Sequence, residues 1–353
     1  MSRLSLVAGM LVAIIVYAVV GGGTPTAGAP GQPIEWPAGL PVYDHVVIVV
    51  EENKDYAQVI GSADAPFINR LRTEGANFTQ MFGEEHHSQG NYFWLFSGDN
   101  HGVGFRDGVP HNQFTAPNLG SALLAKGLSF KGYSESLPAI GSTVVYGPPG
   151  AQGNNRLYAR KHVPWVSFKN LPSGLTAEKS CNLTFTEFPK GAAGFAALPT
   201  VAFVIPNLKN DMHDSDEGLT EEEALKQTIR QGDKWAETNL GPYYAWAKGH
   251  NSLLILTFDE NYDKEDLMGL TDPFAAADTR AGKDLQNRVC TIFAGARINP
   301  GDYPEGKGIT HVSILRTLEA MYGLPRSGAQ QPNAAKGGIA DDYIISDVFQ
   351  KSN

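Results

Sequence analysis

The 353-residue sequence predicts an α/β fold with a mostly parallel central sheet and helices on both faces. Three observations predict it. Short runs of aliphatic and β-branched residues alternate along the chain with longer stretches whose apolar residues recur at helical spacing. The short runs are apolar throughout rather than at every second position, which is how strands buried on both faces read. Several of them stop abruptly in carboxylates and amides, where a sheet of this kind forms its binding crevice.

Taken in order, residues 4–20 (LSLVAGMLVAIIVYAVV) are uncharged, follow Arg3 and lead into a Gly/Pro/Thr/Ala stretch that ends near residue 33. This reads as an export signal or an uncleaved N-terminal anchor with a flexible exit. The small residues Ala27, Gly28 and Ala29 suit cleavage, and Pro30 directly after them opposes it. Residues 34–353 are then expected to form a single domain, secreted or held on the outward-facing cell envelope. Strands are expected at 45–50, 129–133, 200–205, 252–258 and 288–294. Helices are expected at 66–74, 118–125, 221–247 and 311–322. The run 219–231 (LTEEEALKQTIRQ) has the charge pattern of a solvated helical face. Cys181 and Cys290 would meet an oxidising compartment, which leaves both a disulfide and two free buried thiols open.

Composition narrows the partners. With 42% hydrophobic and 18% charged residues the chain is globular, and its net charge of −9 without a basic run argues against nucleic acid and against an electrostatically bound anionic membrane. An anionic substrate would need local positive charge, such as a metal ion.

The strand ends supply a place for one. In HVVIVVEENKDY the apolar run stops at Glu51, Glu52 and Asn53; in LLILTFDEN it stops at Asp259 and Glu260; in FVIPNLKNDMHD the strand is followed by Asn207, Asp211, His213 and Asp214. Any one group reads as loop residues or helix caps. Together at one sheet edge they would build a site for a divalent cation, Mg, Ca or Mn for the oxygen donors, with an imidazole admitting Zn. A fourth segment, GEEHHSQGNYFWLFSG (83–98), puts Ser88 in a turn before an aromatic helix start. A serine there is a helix cap or a nucleophile, and the segment lacks the first glycine of the G-x-S-x-G elbow.

These segments, with APFINRLRTEGANFTQMF, YSESLPAIGSTV, YARKHVPWVSF and GITHVSILRTLEAMYGLP, resemble in order the bacterial phosphoesterase family over residues 44–325. That family includes secreted acid phosphatases, of which the mycobacterial type is most similar, and phospholipase C-type enzymes. It is a branch of the alkaline phosphatase superfamily. The resemblance implies an alkaline phosphatase-like fold and a metal bound by Glu52 and Asn53 and by Asp259 and Glu260. It implies Ser88 as nucleophile, Asn91 as a phosphate contact, and His213 and His311 as histidines that contact phosphate, hold a second metal or protonate the leaving oxygen, supported by Asp211. The family usually has Pro where this chain has His87 and Gly90, so His87 adds a further acid, base or substrate contact. The segment 263–285 is longer and more acidic than in relatives, and reads as a surface excursion or a lid. The implied function is a secreted, metal-dependent phosphomonoesterase with a phosphoserine intermediate. Its substrate would be a phosphorylated small molecule or a phospholipid headgroup, with no nucleic acid, and with membrane contact only through the N-terminal anchor. The alternatives are a phospholipase C-type phosphodiesterase and a non-catalytic metal-dependent binding module, which would tolerate loss of Ser88.

Overall fold

The computed structural model describes residues 41–103, 107–262 and 287–350. Among them the strands are β1 (His45–Glu51), β2 (Ala76–Phe78), β3 (Met81–Phe82), β4 (Phe130–Ser134), β5 (Tyr146–Gly147), β6 (Tyr158–Ala159), β7 (Asn182–Thr184), β8 (Val201–Ile205), β9 (Ser252–Phe258), β10 (Thr291–Gly295), β11 (Gly301–Tyr303) and β12 (Ile309–Thr310). The helices are α1 (Tyr56–Val59), α2 (Pro66–Glu74), α3 (Ser88–Ser97), α4 (Leu119–Ala125), α5 (Gly191–Phe195), α6 (Glu221–Ala247), α7 (His311–Met321) and α8 (Pro332–Lys336).

Eight strands make one sheet in the order β11-β2-β10-β9-β1-β8-β4-β7. β9, β1, β8, β4 and β7 run parallel. β10 is antiparallel to both β9 and β2, so the sheet is mixed. Every side chain of β8 and β9 is buried, as are all of β1 after His45. Each buried Val, Leu or Ile there contributes about 1.5–3 kcal/mol, which is why the uniformly apolar runs occupy the centre.

Helices cover the sheet in two groups, α2, α5 and α6 packing together and α3, α4 and α7 packing together. Phe96 of α3 lies against Phe130 and Phe203 at centroid distances of 5.4 and 5.9 Å. Tyr243 of α6 donates its hydroxyl to the Leu253 carbonyl of β9 at 3.1 Å. α6 starts at a reciprocal cap between Thr220 and Glu223, and its three first-turn glutamates are exposed and complement the helix dipole. Gly132 of β4 is required by the close approach of the Trp165 ring, since a Cβ there would lie 2.1 Å from it.

A bridge between Cys181 and Cys290 does not form; both thiols are free and buried. Cys181 adjoins β7 at the sheet edge and Cys290 adjoins β10, with β4, β8, β1 and β9 between them. At about 4.8 Å per strand this separates the thiols by about 24 Å, far beyond bonding reach. The N-terminal signal or anchor and the 263–285 excursion lie outside the described residues. No helix among the described residues is long and apolar enough to cross a membrane.

Candidate active site

Three strand ends are tied together by backbone hydrogen bonds. Glu52 N donates to the Asp211 carbonyl at 2.7 Å, and Asp259 N donates to the Glu51 carbonyl at 3.1 Å. Asn53 turns the chain with φ 41°, a left-handed conformation that asparagine tolerates better than most residues. Its N–H then reaches Asp259 Oδ1 and its Nδ2 reaches Glu260 Oε1, each at 3.2 Å.

Ser88 opens α3, and its Oγ lies 3.1 Å from both Glu52 Oε2 and Glu260 Oε1. One hydroxyl proton cannot serve two carboxylates at once. On its other oxygen Glu52 accepts from the Tyr92 hydroxyl at 2.5 Å, one turn along α3 from Ser88. His162 Nε2 lies 3.2 Å from the same Glu52 oxygen, and His162 Nδ1 lies 3.9 Å from Asp211 Oδ2. The Tyr92 ring stacks on the imidazole with centroids 5.0 Å apart. Glu52, His162 and Asp211 are all buried and each presents a ligand atom within 4.8 Å of the other two.

The electrostatics are those of crowded acids out of water. Burial raises Asp211 to about 7, and burial plus the Glu260 charge raises Asp259 to about 6. Burial, with Asp259 and Asp211 adding, holds Glu52 well above the carboxylate range. Burial pushes the His162 imidazole well down, so it is neutral and has a lone pair to offer. Asp211 Oδ2, Asp259 Oδ2 and Asn53 Oδ1 are buried and without a hydrogen-bond partner among the described residues. Clustered carboxylates, a neutral imidazole and orphaned oxygens are what a divalent cation satisfies, so the residues fit one.

The cluster opens into a cleft of about 410 Å³ to which Ser88, Glu260, His87, Lys54, Lys161 and His213 contribute. Lys54 Nζ is spent on the carbonyls of Asn53 and Met212, at 3.0 and 2.7 Å, and burial lowers it to about 8. Lys161 Nζ lies 3.0 Å from Asp107; burial works against its charge, but Glu52 and Asp107 outweigh that and hold it protonated. His213 Nδ1 lies 2.7 Å from Asp214, and that carboxylate with Asp211 overcomes desolvation and raises the imidazole.

Of the residues singled out in the sequence, Glu52, Asn53, Ser88, Asp259 and Glu260 come together, and His87 and His213 line the same cleft. Asp211 sits behind it, accepting from His213 N at 2.9 Å. Asn91 and His311 are placed differently. Asn91 Oδ1 accepts from the backbone of Glu84 and Glu85, and its Nδ2 donates to the Glu85 carbonyl, so it folds the loop that delivers Ser88. His311 is buried with Nδ1 2.7 Å from Glu84 Oε2 and Nε2 2.8 Å from the Phe258 carbonyl. Both partners are acceptors, so both nitrogens carry protons and the ring clamps the loop to the end of β9. His162, Tyr92, Lys161 and His86, whose Nδ1 bonds Glu260 Oε2, were not assigned from sequence. His162 and Lys161 stand in YARKHVPW, which no strand-end pattern marks, whereas Tyr92 was findable as the residue four after Ser88 on a helix.

A serine hydroxyl at a helix start is thus ringed by acids at the carboxyl edge of a largely parallel sheet. The phosphoesterase family profile matches residues 62–325, and the chain belongs to that family, a family of phosphoric ester hydrolases. It is 42% identical over 291 residues to the phosphatidylinositol-3-phosphatase of Mycobacterium tuberculosis, covering 82% of this chain and 81% of that protein. It is 28% identical over 313 residues to the phosphate-repressible acid phosphatase of Penicillium chrysogenum, covering 85% of this chain and 63% of that protein. Among solved structures, an alkaline phosphatase superfamily protein from Vibrio parahaemolyticus is similar with TM-score 0.50 and 12% identity over 88% of this chain and 72% of that one. The lipoteichoic acid synthase LtaP of Listeria monocytogenes has TM-score 0.50 and 13% identity over 91% and 80%. These likenesses are of fold: the chain shares the architecture of both proteins.

Proposed function

We propose that this chain is an exported, metal-dependent phosphomonoesterase that works through a phosphoserine at Ser88. The observation that carries the reading is the Ser88 hydroxyl held 3.1 Å from Glu52 and from Glu260 at the cleft. Glu52, Asn53, Asp259 and Glu260 would hold one divalent cation beside Ser88, and Glu52, His162 and Asp211 offer a second position. When bound, the cation supplies positive charge that lowers the hydroxyl pKa and offsets charge on the phosphoryl oxygens.

The chain's own groups supply the rest. Ser88 Oγ attacks phosphorus and passes its proton to the Glu52 or Glu260 carboxylate, forming the Oγ–P bond as the bond to the leaving oxygen breaks. His213, kept protonated by Asp214, gives its proton to that leaving oxygen. Water then attacks the phosphoserine, yields a proton to His213 and releases phosphate, while Ser88 recovers its own. Lys161 is the cation on the cleft wall that meets the phosphate charge. The substrate is a phosphorylated small molecule or a phospholipid headgroup, and the name of the 42% identical relative favours the second. Export rests on the apolar run at residues 4–20, and a single domain over 34–353 rests on one continuous core reaching from Tyr43 to Phe349.

Hydrolysis of p-nitrophenyl phosphate against bis-p-nitrophenyl phosphate, with and without chelator, tests this. The monoester should be preferred by about tenfold or more, with loss on chelation and return on adding a divalent cation. A preference for the diester would instead establish the phospholipase C-type alternative, and no hydrolysis of either would favour a binding module.

A further inference from the structure

Carboxylates are unevenly spread along this acidic chain. Of 37 Asp and Glu, residues 108–177 hold one, Glu135, and the part from 137 to 177 holds none alongside Arg156, Arg160, Lys161 and Lys169, of which Arg160 is buried against backbone carbonyls and Lys161 is paired with Asp107. Glu135 is engaged, accepting from Asn207 N at 3.0 Å and from Asn210 Nδ2 at 3.1 and 2.9 Å. The same segment carries three of the five large apolar side chains exposed among the described residues: Val145, Tyr146 and Leu175, the last 78% exposed. Tyr146 pairs with Ala159 across the β5–β6 hairpin, and the Arg156 guanidinium lies over its ring at 4.3 Å. Leu175 packs beside Gly141, and Gly141 also borders a slot of about 180 Å³ with Trp165, Phe168 and Leu171. The hairpin loop contributes Asn154 to the active-site cleft, and Lys161 follows β6 into it. Exposed apolar groups, positive charge without free carboxylates, and the wall of the cleft thus share one stretch of chain.

We propose that residues 137–177 form the surface by which the enzyme seats itself on an anionic lipid bilayer, presenting its cleft to phosphate monoesters displayed there. The proposal rests on the phosphomonoesterase reading and names where its substrate is met. Charge selects the occupant: a segment stripped of free carboxylates within a chain of net charge −9 complements phosphate-bearing headgroups rather than another acidic protein. A tyrosine ring with an arginine stacked on it, beside exposed Val and Leu, is the amphipathic composition that settles at the bilayer–water boundary. The whole-chain charge argued against an anionic membrane surface because it averages this segment with the acidic remainder.

Flotation of the full chain with phosphatidylcholine vesicles, with and without roughly 30% phosphatidylserine, tests the proposal. The parent should bind the anionic vesicles about tenfold more tightly than the neutral ones, and added salt should weaken that preference. Joint replacement Val145→Ser, Tyr146→Ser and Leu175→Ser should weaken anionic binding by about tenfold, and Arg156→Gln alone should reduce the anionic preference. Both variants should hydrolyse p-nitrophenyl phosphate at the parent rate, which also reports that they fold. Equal binding of parent and triple variant overturns the proposal. So does equal binding of the parent to neutral and anionic vesicles, the result an apolar N-terminal run alone would give. Failure of the parent to hydrolyse p-nitrophenyl phosphate is a separate result that sinks the phosphomonoesterase reading.

Discussion

Glu51 and Glu52 are neighbours in the chain and stand on opposite faces of the sheet. Glu52 meets Ser88 and Tyr92 of α3, whereas Glu51 has no hydrogen-bond partner among the described residues and feels the charge of Asp211 and, on α6, of Asp233. Side chains alternate along a strand, so consecutive acids at its end must part. Glu51 is fully buried with both oxygens unpartnered among the described residues. Burial, then Asp211 and Asp233, push its carboxyl well up, so it is held as a neutral acid.

The two glutamates should therefore respond in opposite ways to substitution. Glu52→Gln should lower kcat/KM by more than about a hundredfold, close to 3 kcal/mol of transition-state stabilisation. Glu51→Leu removes an unsatisfied buried polar group, and should leave turnover within a few-fold and stability unchanged or raised by about 1 kcal/mol. Steady-state kinetics and thermal unfolding on both variants check the pair; equal loss of activity would show that the faces are coupled.

Ser88→Ala should cost more than about a hundredfold in rate, with the other cation ligands left in place. Ser88 makes no side-chain cap to α3, so little stability should go with it. Acid quenching during turnover of labelled substrate, then peptide mapping, should find a phosphopeptide containing Ser88. Inversion of configuration at phosphorus would defeat the intermediate, because two successive displacements retain it.

Asp259→Asn should weaken cation binding and activity together while the fold is kept. Asp259 follows a fully buried strand beside Glu260, and removing one negative charge relieves repulsion at the same time as it weakens the site. Elemental analysis and circular dichroism on the variant are the measurements. Full activity of a metal-free preparation would remove the cation from the chemistry.

Glu305, which does not line the cleft, gives a pH signature of its own. Burial raises its carboxyl from 4.5 to about 7, opposed by the hydrogen bond from the Tyr343 hydroxyl. The native state then binds this proton more tightly than the unfolded chain does, so its stability falls as pH rises from 4.5 towards 7. Glu305→Gln should flatten that fall by about 2 kcal/mol in denaturant unfolding at pH 5 and pH 7.5. Parallel pH profiles for parent and variant would refute it.

The central strands and long helices were legible because burial on both faces and helical period leave strong patterns: β1, β8, β9, α2 and α6 lie where the sequence puts them. The three-residue strands β2, β7 and β11 were not, since their pairing comes from neighbours rather than from an apolar run. The antiparallel direction of β10 is likewise invisible in its composition. Within the site, residues that follow a buried strand announced themselves. His162 did not, because it sits in a short 3-10 turn whose only distinction is that it packs beside Tyr92 and Asp211. His311 and Asn91 hydrogen-bond to the loop that carries Ser88, and polar side chains that build such loops look the same in sequence as those that line a cleft.

The distance between Cys181 and Cys290 across the sheet bears on how this enzyme can be made. Burial holds the Cys181 thiol up near 12 and raises that of Cys290 as well, so neither offers a reactive thiolate. The native state is consequently indifferent to the redox potential around it. It needs neither an oxidase nor an isomerase to mature, and a bacterial host's reducing cytosol should yield the same folded domain as an export pathway.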